Sequence, residues 1–279
     1  IALQGEGISI EMLNREQVQG LIKTPLSAEI IGGRLLAEDG IIHPARFIQG
    51  LAHASQRYGA QIYQASVTHV HSHSKGVQVH TVQGSLDARA VIVATNAWIS
   101  ELLPEVSDLI TPVRGQILSY APTASVFPVG LSASVTETGE YWQQRLDGTI
   151  IVGGCRAAAL GQDRGVYLET PTPEVQHALE QVLPRFFPML SDLHIDHRWA
   201  GLMAFTPDYL PIADQMPAYP HVWVVGGFCG HGMPFGMRLS QLLAEEIARD
   251  TPLEELKSFR FDRATLTPST SRLRLQQLP

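Results

Sequence analysis

The chain has 279 residues, enough for one large domain or two modest ones with cores of their own. A hydrophobic share of 44% against 17% charged residues is a globular composition and excludes intrinsic disorder as the main state. The net charge of −7 leaves no basic footprint, so nucleic acid is excluded as the expected partner, while pocket charge can still oppose the total.

Cys155 and Cys229 lie far apart without metal-ligand spacing, so no disulfide scaffold and no metal site is expected. A reducing, cytoplasmic setting is the corresponding expectation. No apolar run approaches the roughly 18 residues of a membrane span. The first residues, Ile1-Ala2-Leu3-Gln4-Gly5-Glu6, have neither a basic region nor an apolar core and do not read as a signal peptide. They read as a start in mid-protein. Composition leaves the oligomeric state open.

In chain order, residues 9–23 predict a short strand and a polar helix, and 30–36 a strand. Asp39-Gly40-Ile41-Ile42-His43-Pro44 leads into a helix with Pro44 at its first position, and Gly59 supplies the stop. Three strands follow, at 61–71, 76–82 and 88–95. The last is apolar on both faces, as in a buried strand of a helix-covered sheet. Longer strands of mixed character are predicted over Val113–Tyr120, Gly130–Val135, Tyr141–Arg145 and Thr149–Val152. Leu146-Asp147-Gly148 is a hairpin turn between the last two. Residues 155–170 read as loop, and Thr172 and Pro173 open a helix to about Leu183. Strands are predicted at His194–Phe205, Pro211–Ala213 and Val222–Val225, then a helix from about Pro234 to Arg249. The segment after Phe261 reads as loose.

Two regions carry chemistry. Val222–Met237 is an apolar strand, then four glycines within seven residues, then an amphipathic helix. Glycines allow positive φ and close backbone approach, and a helix start favours negative charge. The unit suits a phosphate or the electron-rich edge of a reduced flavin; a tight turn with no ligand is the alternative. The second region, Ala90–Ser100, places Thr95, Asn96, Ala97 and Trp98 after a buried strand, where open α/β sheets bind ligands. An ordinary strand-to-helix connection has the same pattern.

With their surroundings these regions resemble the D-amino-acid oxidase superfamily, in particular its glycine oxidase, sarcosine oxidase and γ-glutamylputrescine oxidase branches. The resemblance runs from about Glu11 to Phe261. Besides the two regions it takes in Asp39–Pro44, Val91–Trp98, Pro112-Val113-Arg114-Gly115-Gln116, Asp147–Gly154, Trp199-Ala200-Gly201 and Thr206-Pro207-Asp208-Tyr209-Leu210-Pro211. It implies a mixed α/β fold: part of an FAD-binding domain built from discontinuous segments, 37–107 and 206–265, and a substrate domain with a large antiparallel sheet, 1–36 and 108–205. Residues 266–279 are expected to be a loose tail. Val67 matches a position near the adenine, and Thr95–Trp98 the segment near the pyrophosphate and ribose. Gly227, Phe228, Cys229, Gly230, His231, Gly232 and Met233 match the loop beneath the flavin pyrimidine. Tyr141 matches a substrate-facing tyrosine, although an aromatic packed in a sheet would look the same. The implied reaction is oxidation of an amine or amino-acid-like substrate by hydride transfer to flavin N5, with the cofactor carrying the chemistry.

The sequence also departs from that pattern. The family opens with a strand and a G-x-G-x-x-G turn that grips the pyrophosphate. Nothing before Glu11 does this, so roughly a hundred residues, one nucleotide-binding half, are expected upstream, and little FAD is expected to stay without them. Where glycine-oxidase-like members carry an arginine for an α-carboxylate, this chain has Met203, and a second such position is Gly230. A thioether holds no carboxylate, which favours an amine with its polar end elsewhere; Arg145, Arg156 and Arg198 are the remaining cations. Ile151 stands where the sarcosine oxidase branch has a lysine linked to oxygen activation, which favours a dehydrogenase.

His69, His71 and His73 alternate on one strand face and read as solvated. His231 either meets the flavin C2 carbonyl or caps the helix, and Cys229 reads as a small buried thiol. The competing functions are oxidation of a 2-hydroxy acid or glycerol phosphate on the same fold, and a non-catalytic fragment without cofactor.

Overall fold

The computed structural model describes residues 9–134 and 136–267. In chain order the first elements are β1 (Glu11–Asn14), α1 (Arg15–Leu21), β2 (Gly32–Leu35), α2 (Pro44–Arg57), β3 (Val67–His73), β4 (Gly76–Thr81) and β5 (Gly84–Ala88). Next come β6 (Val91–Val93), α3 (Ile99–Leu102), β7 (Thr111–Tyr120), β8 (Leu131–Ala133), β9 (Glu140–Gln144) and β10 (Ile150–Gly154). The last are α4 (Pro173–Glu180), α5 (Val182–Phe186), β11 (Ile195–Phe205), β12 (Ile212–Gln215), β13 (Val222–Gly226) and α6 (Gly232–Arg249). The chain divides into two compact units, one of residues 1–52, 115–163 and 168–201, the other of 53–114, 164–167 and 202–279.

In the first unit, β1 and β2 form an antiparallel ribbon around α1. Asn14 starts that helix with a capping box: its Oδ1 accepts from Gln17 N at 2.9 Å, and Gln17 Oε1 accepts from Asn14 N at 2.8 Å. The larger sheet has the order β11-β7-β10-β9-β8. Period-two alternation sends Leu118, Tyr120, Trp142, Ile150 and Val152 to one face, where they pack with Val175, Leu179 and Leu183 of α4 and α5. Trp142 stacks on Phe186 with centroids 5.5 Å apart. Strands β7 and β11 continue past this unit, each changing at a glycine boundary, Gly115 and Gly201.

In the second unit, β3, β4 and β5 form an antiparallel meander. A second sheet has the order β12-β13-β6; β13 runs parallel to β6, pairing Val222 with Val91 and Val224 with Val93. All five residues of β13 are buried. One face meets Leu239, Leu242 and Leu243 of α6, and the other joins Ile99, Leu103 and Ile110. The apolar-on-both-faces pattern therefore marks a strand covered on both sides.

Four local expectations change. Gly84–Ala88, left between the strands expected at 76–82 and 88–95, is a strand, because Val82 and Gln83 close a tight hairpin that pairs Gly84, at φ +148°, with Thr81. The helix expected to reach Leu183 breaks at Gln181 into α4 and α5. Thr172 stands at the N-cap, but its hydroxyl accepts from Gln116 Nε2 at 3.1 Å and makes no capping bond. Of the segment after Phe261, Arg263 is bound to Asp208 and Leu266 is buried, so residues through Thr267 are held; residues 268–279 of the expected tail lie outside the described ones.

Candidate cofactor and substrate sites

Parallel pairing of β6 with β13 brings two strand ends to the same edge, the place where such sheets bind ligands. After β6 the chain makes a single 3-10 turn, Asn96–Trp98. Asn96 has φ 48°, a left-handed conformation that asparagine tolerates better than most residues. Its Oδ1 is buried and has no hydrogen-bond partner among the described residues. Leaving a buried acceptor empty costs about 1–3 kcal/mol, so this oxygen is a natural ligand contact. Ala97 is fully buried behind it, while Trp98 keeps 37% of its surface exposed.

After β13, Gly226 lies against this turn. A Cβ there would collide with Ile99 Cδ1 and stand 3.6 Å from Asn96 Cα. Gly227 has φ +71°, and a Cβ would meet Thr206 Cγ2 at 2.6 Å. Glycine is thus required twice, once for a close approach and once for conformation. The loop then runs through Cys229, also left-handed at φ 53°, whose N–H donates to Ala204 O at 2.8 Å. The Cys229 thiol is buried within 3.4 Å of Thr206 Oγ1. Thr206 thus contacts both Gly227 and Cys229, a placement the sequence did not reveal; only its position in the Thr-Pro-Asp run marked it.

His231 sits at the N-cap of α6 without a side-chain cap; its Nδ1 faces Cys229 O at 3.0 Å. A carbonyl only accepts, so Nδ1 is the donor in this bond. The helix begins at Gly232, two residues before Pro234, so Gly232 and Met233 present first-turn N–H groups. Met203 reaches this loop: its Sδ is 3.7 Å from where a Gly230 Cβ would stand. It also packs on Val113, Phe205 and Cys229. Val67 begins β3 and is 40% exposed, just before a register irregularity. His69, His71 and His73 are exposed along the same strand, with Val70 turned into the core.

In the sheet unit, Tyr141 is paired with Gly153 across β9 and β10. Its ring covers that glycine so closely that a Cβ at 153 would collide with Cζ and Oη. Burial of the hydroxyl pushes the phenol above its ordinary range, and the charge of Arg156 partly opposes this. Of the three candidate cations, Arg198 is committed to Glu180 at 2.7 Å and to Gln176 at 3.0 Å. Arg145 contacts His43 and Asp147. Cys155 is inert: burial, with Glu140 adding to it, raises its thiol to about 12.

A glycine loop at the carboxyl end of a parallel strand pair is where open α/β sheets bind their ligands. The profile of the family described as DAO, FAD dependent oxidoreductase, matches residues 1–246, and the chain belongs to that family. It is 28% identical over 179 residues to the glycine oxidase of Pseudomonas aeruginosa, a match covering 63% of this chain and 46% of that protein. It is 25% identical over 238 residues to the gamma-glutamylputrescine oxidoreductase of Escherichia coli, covering 82% and 53%. The fold matches an L-proline dehydrogenase structure from P. horikoshii with a TM-score of 0.83 at 22% identity, covering 93% of this chain and 70% of that one. The chain spans about half the length of these two curated relatives. No helix among the described residues is long and apolar enough to cross a membrane.

The residues present fit the family's FAD. The unpartnered Asn96 oxygen, the side-chain-free approach at Gly226 and Gly227, and the N–H groups opening α6 together suit a flat ligand with several polar edges.

Proposed function

We propose that the protein oxidises an amine or amino-acid-like substrate at a carbon next to nitrogen, using FAD. The observation that carries this reading is the meeting of an apolar side chain, Met203, with the glycine loop at Gly230, which builds a substrate wall without a fixed charge. Residues 37–107 and 206–265 belong to the FAD-binding part, and residues 1–36 and 108–205, with the five-stranded sheet, to the substrate-binding part. Thr95, Asn96, Ala97 and Trp98 lie along the cofactor's phosphate and ribose portion, Val67 near its adenine. Gly227, Phe228, Cys229, Gly230, His231, Gly232 and Met233 lie under its ring system.

FAD, when bound, would supply the two-electron acceptor for a hydride from the carbon next to nitrogen, the nitrogen would lose a proton, water would hydrolyse the imine released, and an external acceptor would take the electrons onward. The chain's own residues bind and orient. His231 donates from Nδ1 to Cys229 O, which fixes its ring at the loop. Tyr141 keeps its proton into alkaline solution, so it serves as a hydrogen-bond donor rather than a base. Met203 excludes water and accepts an apolar substituent. A reducing, cytoplasmic setting suits the two free cysteines.

The test is anaerobic mixing of the FAD-loaded protein with secondary amines, amino acids, 2-hydroxy acids and glycerol phosphate. Bleaching of the flavin absorbance by the nitrogen compounds is expected. Bleaching by the hydroxy compounds alone would overturn the reading.

A further inference from the structure

We propose that the face of the five-stranded sheet opposite its core recognises the far end of an elongated substrate, with Arg145 as anchor for a carboxylate there. This rests on the amine-oxidising reading above and adds the chemistry of the substrate's distal end. Along β9 the side chains of Trp142 and Gln144 enter the core, so Tyr141, Gln143 and Arg145 share the other face. Tyr141 and Gln143 face Gly153 and Ile151 of β10, and Arg145, just past β9, meets Thr149 across the turn. Arg145 lies four residue steps from Tyr141, about 13 Å in extended chain.

A cavity of about 520 Å³ opens on this face at the Arg145 end, between Ser119, Thr149, Ile151 and Trp199. That lies within the range of roughly 300–1,000 Å³ typical of small-ligand sites. The other charged groups lining it are already paired. Arg198 is held by Glu180 at 2.7 Å, and Asp196 by His197 at 2.9 Å. Arg145 differs. One nitrogen, Nη2, makes both of its contacts, to Asp147 at 3.3 Å and to His43 Nε2 at 2.9 Å. Arginine only donates, so His43 Nε2 is the acceptor in that contact. The Asp147 contact is a half-exposed surface pair, a weak competitor. Nη1 and Nε have no partner among the described residues, so Arg145, which lines the cavity, keeps donors for a carboxylate oxygen. The sheet thus measures an amine near Tyr141 against an anion at Arg145, with the aliphatic spacer over Ile151.

The experiment compares hexylamine and octylamine with 6-aminohexanoate and 8-aminooctanoate on the FAD-loaded protein, and measures thermal stabilisation by suberate as a readout that needs no turnover. An advantage in kcat/KM of about ten- to a hundredfold is expected for the longer aminoalkanoate over its alkylamine. Arg145→Gln should remove that advantage and the suberate stabilisation while leaving alkylamine turnover and the unliganded melting temperature unchanged. Arg145→Glu should reverse the preference toward diamines. Equal losses for amines with and without the carboxylate, or suberate stabilisation that survives Arg145→Gln, would overturn the proposal. If no amine is turned over, the underlying reading fails, and the suberate measurement alone still decides whether Arg145 binds a carboxylate.

Discussion

The ring of Tyr141 lies flat over Gly153, its directly opposed partner on the neighbouring strand. A residue without a side chain allows this, because a Cβ at 153 would collide with the phenol Cζ and Oη. Cross-strand pairs on one face are normally side chain against side chain; here one partner is absent so that the other can fold down. Gly153→Ala should therefore lift the tyrosine off the strand. The expected outcome is a raised KM with a stability loss of only about 1 kcal/mol, since the displaced ring is already half exposed. Tyr141→Phe should reproduce the kinetic effect without the structural one, which steady-state kinetics and melting curves on both variants would show.

Asn96 combines a left-handed backbone with a buried, unpartnered oxygen. Glycine at this position relieves both. Asn96→Gly should leave the stability of the cofactor-free protein within about 1 kcal/mol, the relief offsetting the greater chain entropy of glycine. FAD affinity should fall at the same time, by roughly tenfold for one lost hydrogen bond. Flavin titration alongside thermal melting separates the two effects; a variant that loses stability but retains FAD would show that the oxygen has no ligand.

Arg263 binds Asp208 with both oxygens engaged, at 2.7 and 2.9 Å, and both side chains are almost fully buried. The guanidinium, with Thr265 Oγ1 and the Leu210 N–H, holds the Asp208 carboxyl far below the usual carboxylate range. A depressed folded-state value means that the stability it contributes is present above the unfolded value, near pH 4, and is lost as pH falls toward the folded value. Asp208→Asn should cost about 3 kcal/mol at neutral pH by leaving a buried guanidinium unpaired. It should also flatten the fall of stability between about pH 4 and 2. Denaturant midpoints across that range would check both.

Met203 offers polarisable apolar contact and no donor. Met203→Arg should lower kcat/KM for a cationic amine, through like charge and the burial of an unpaired guanidinium. If the planar fork reaches an α-carboxylate, turnover of glycine or sarcosine should rise. Kinetics with glycine, sarcosine and a longer amine on both forms decide this, and efficient glycine turnover by the unaltered protein, insensitive to the substitution, would place the carboxylate contact elsewhere.

Local chemistry made much of this fold readable. Pro44 and Gly59 bracket α2, Asp147-Gly148 closes the β9–β10 hairpin, and the uniform apolarity of Val222–Val225 marks a strand buried on both faces. These are short-range effects of backbone conformation and hydrophobic period, which neighbouring residues set by themselves. The glycine loop at Gly226–Gly232 was visible for the same reason. Other features arose only when distant segments met. Gly226 must be glycine because Ile99 and Asn96 pack onto it from the end of another strand, and Thr206 matters because it touches Gly227 and Cys229. Arg198 and Arg145 look alike in sequence, yet a helix 18 residues upstream supplies Glu180 to one, while the other meets His43, a hundred residues away, and a half-exposed Asp147 in its own turn. Pairing depends on which side chains the topology brings within a few ångströms, and no local pattern encodes that distance.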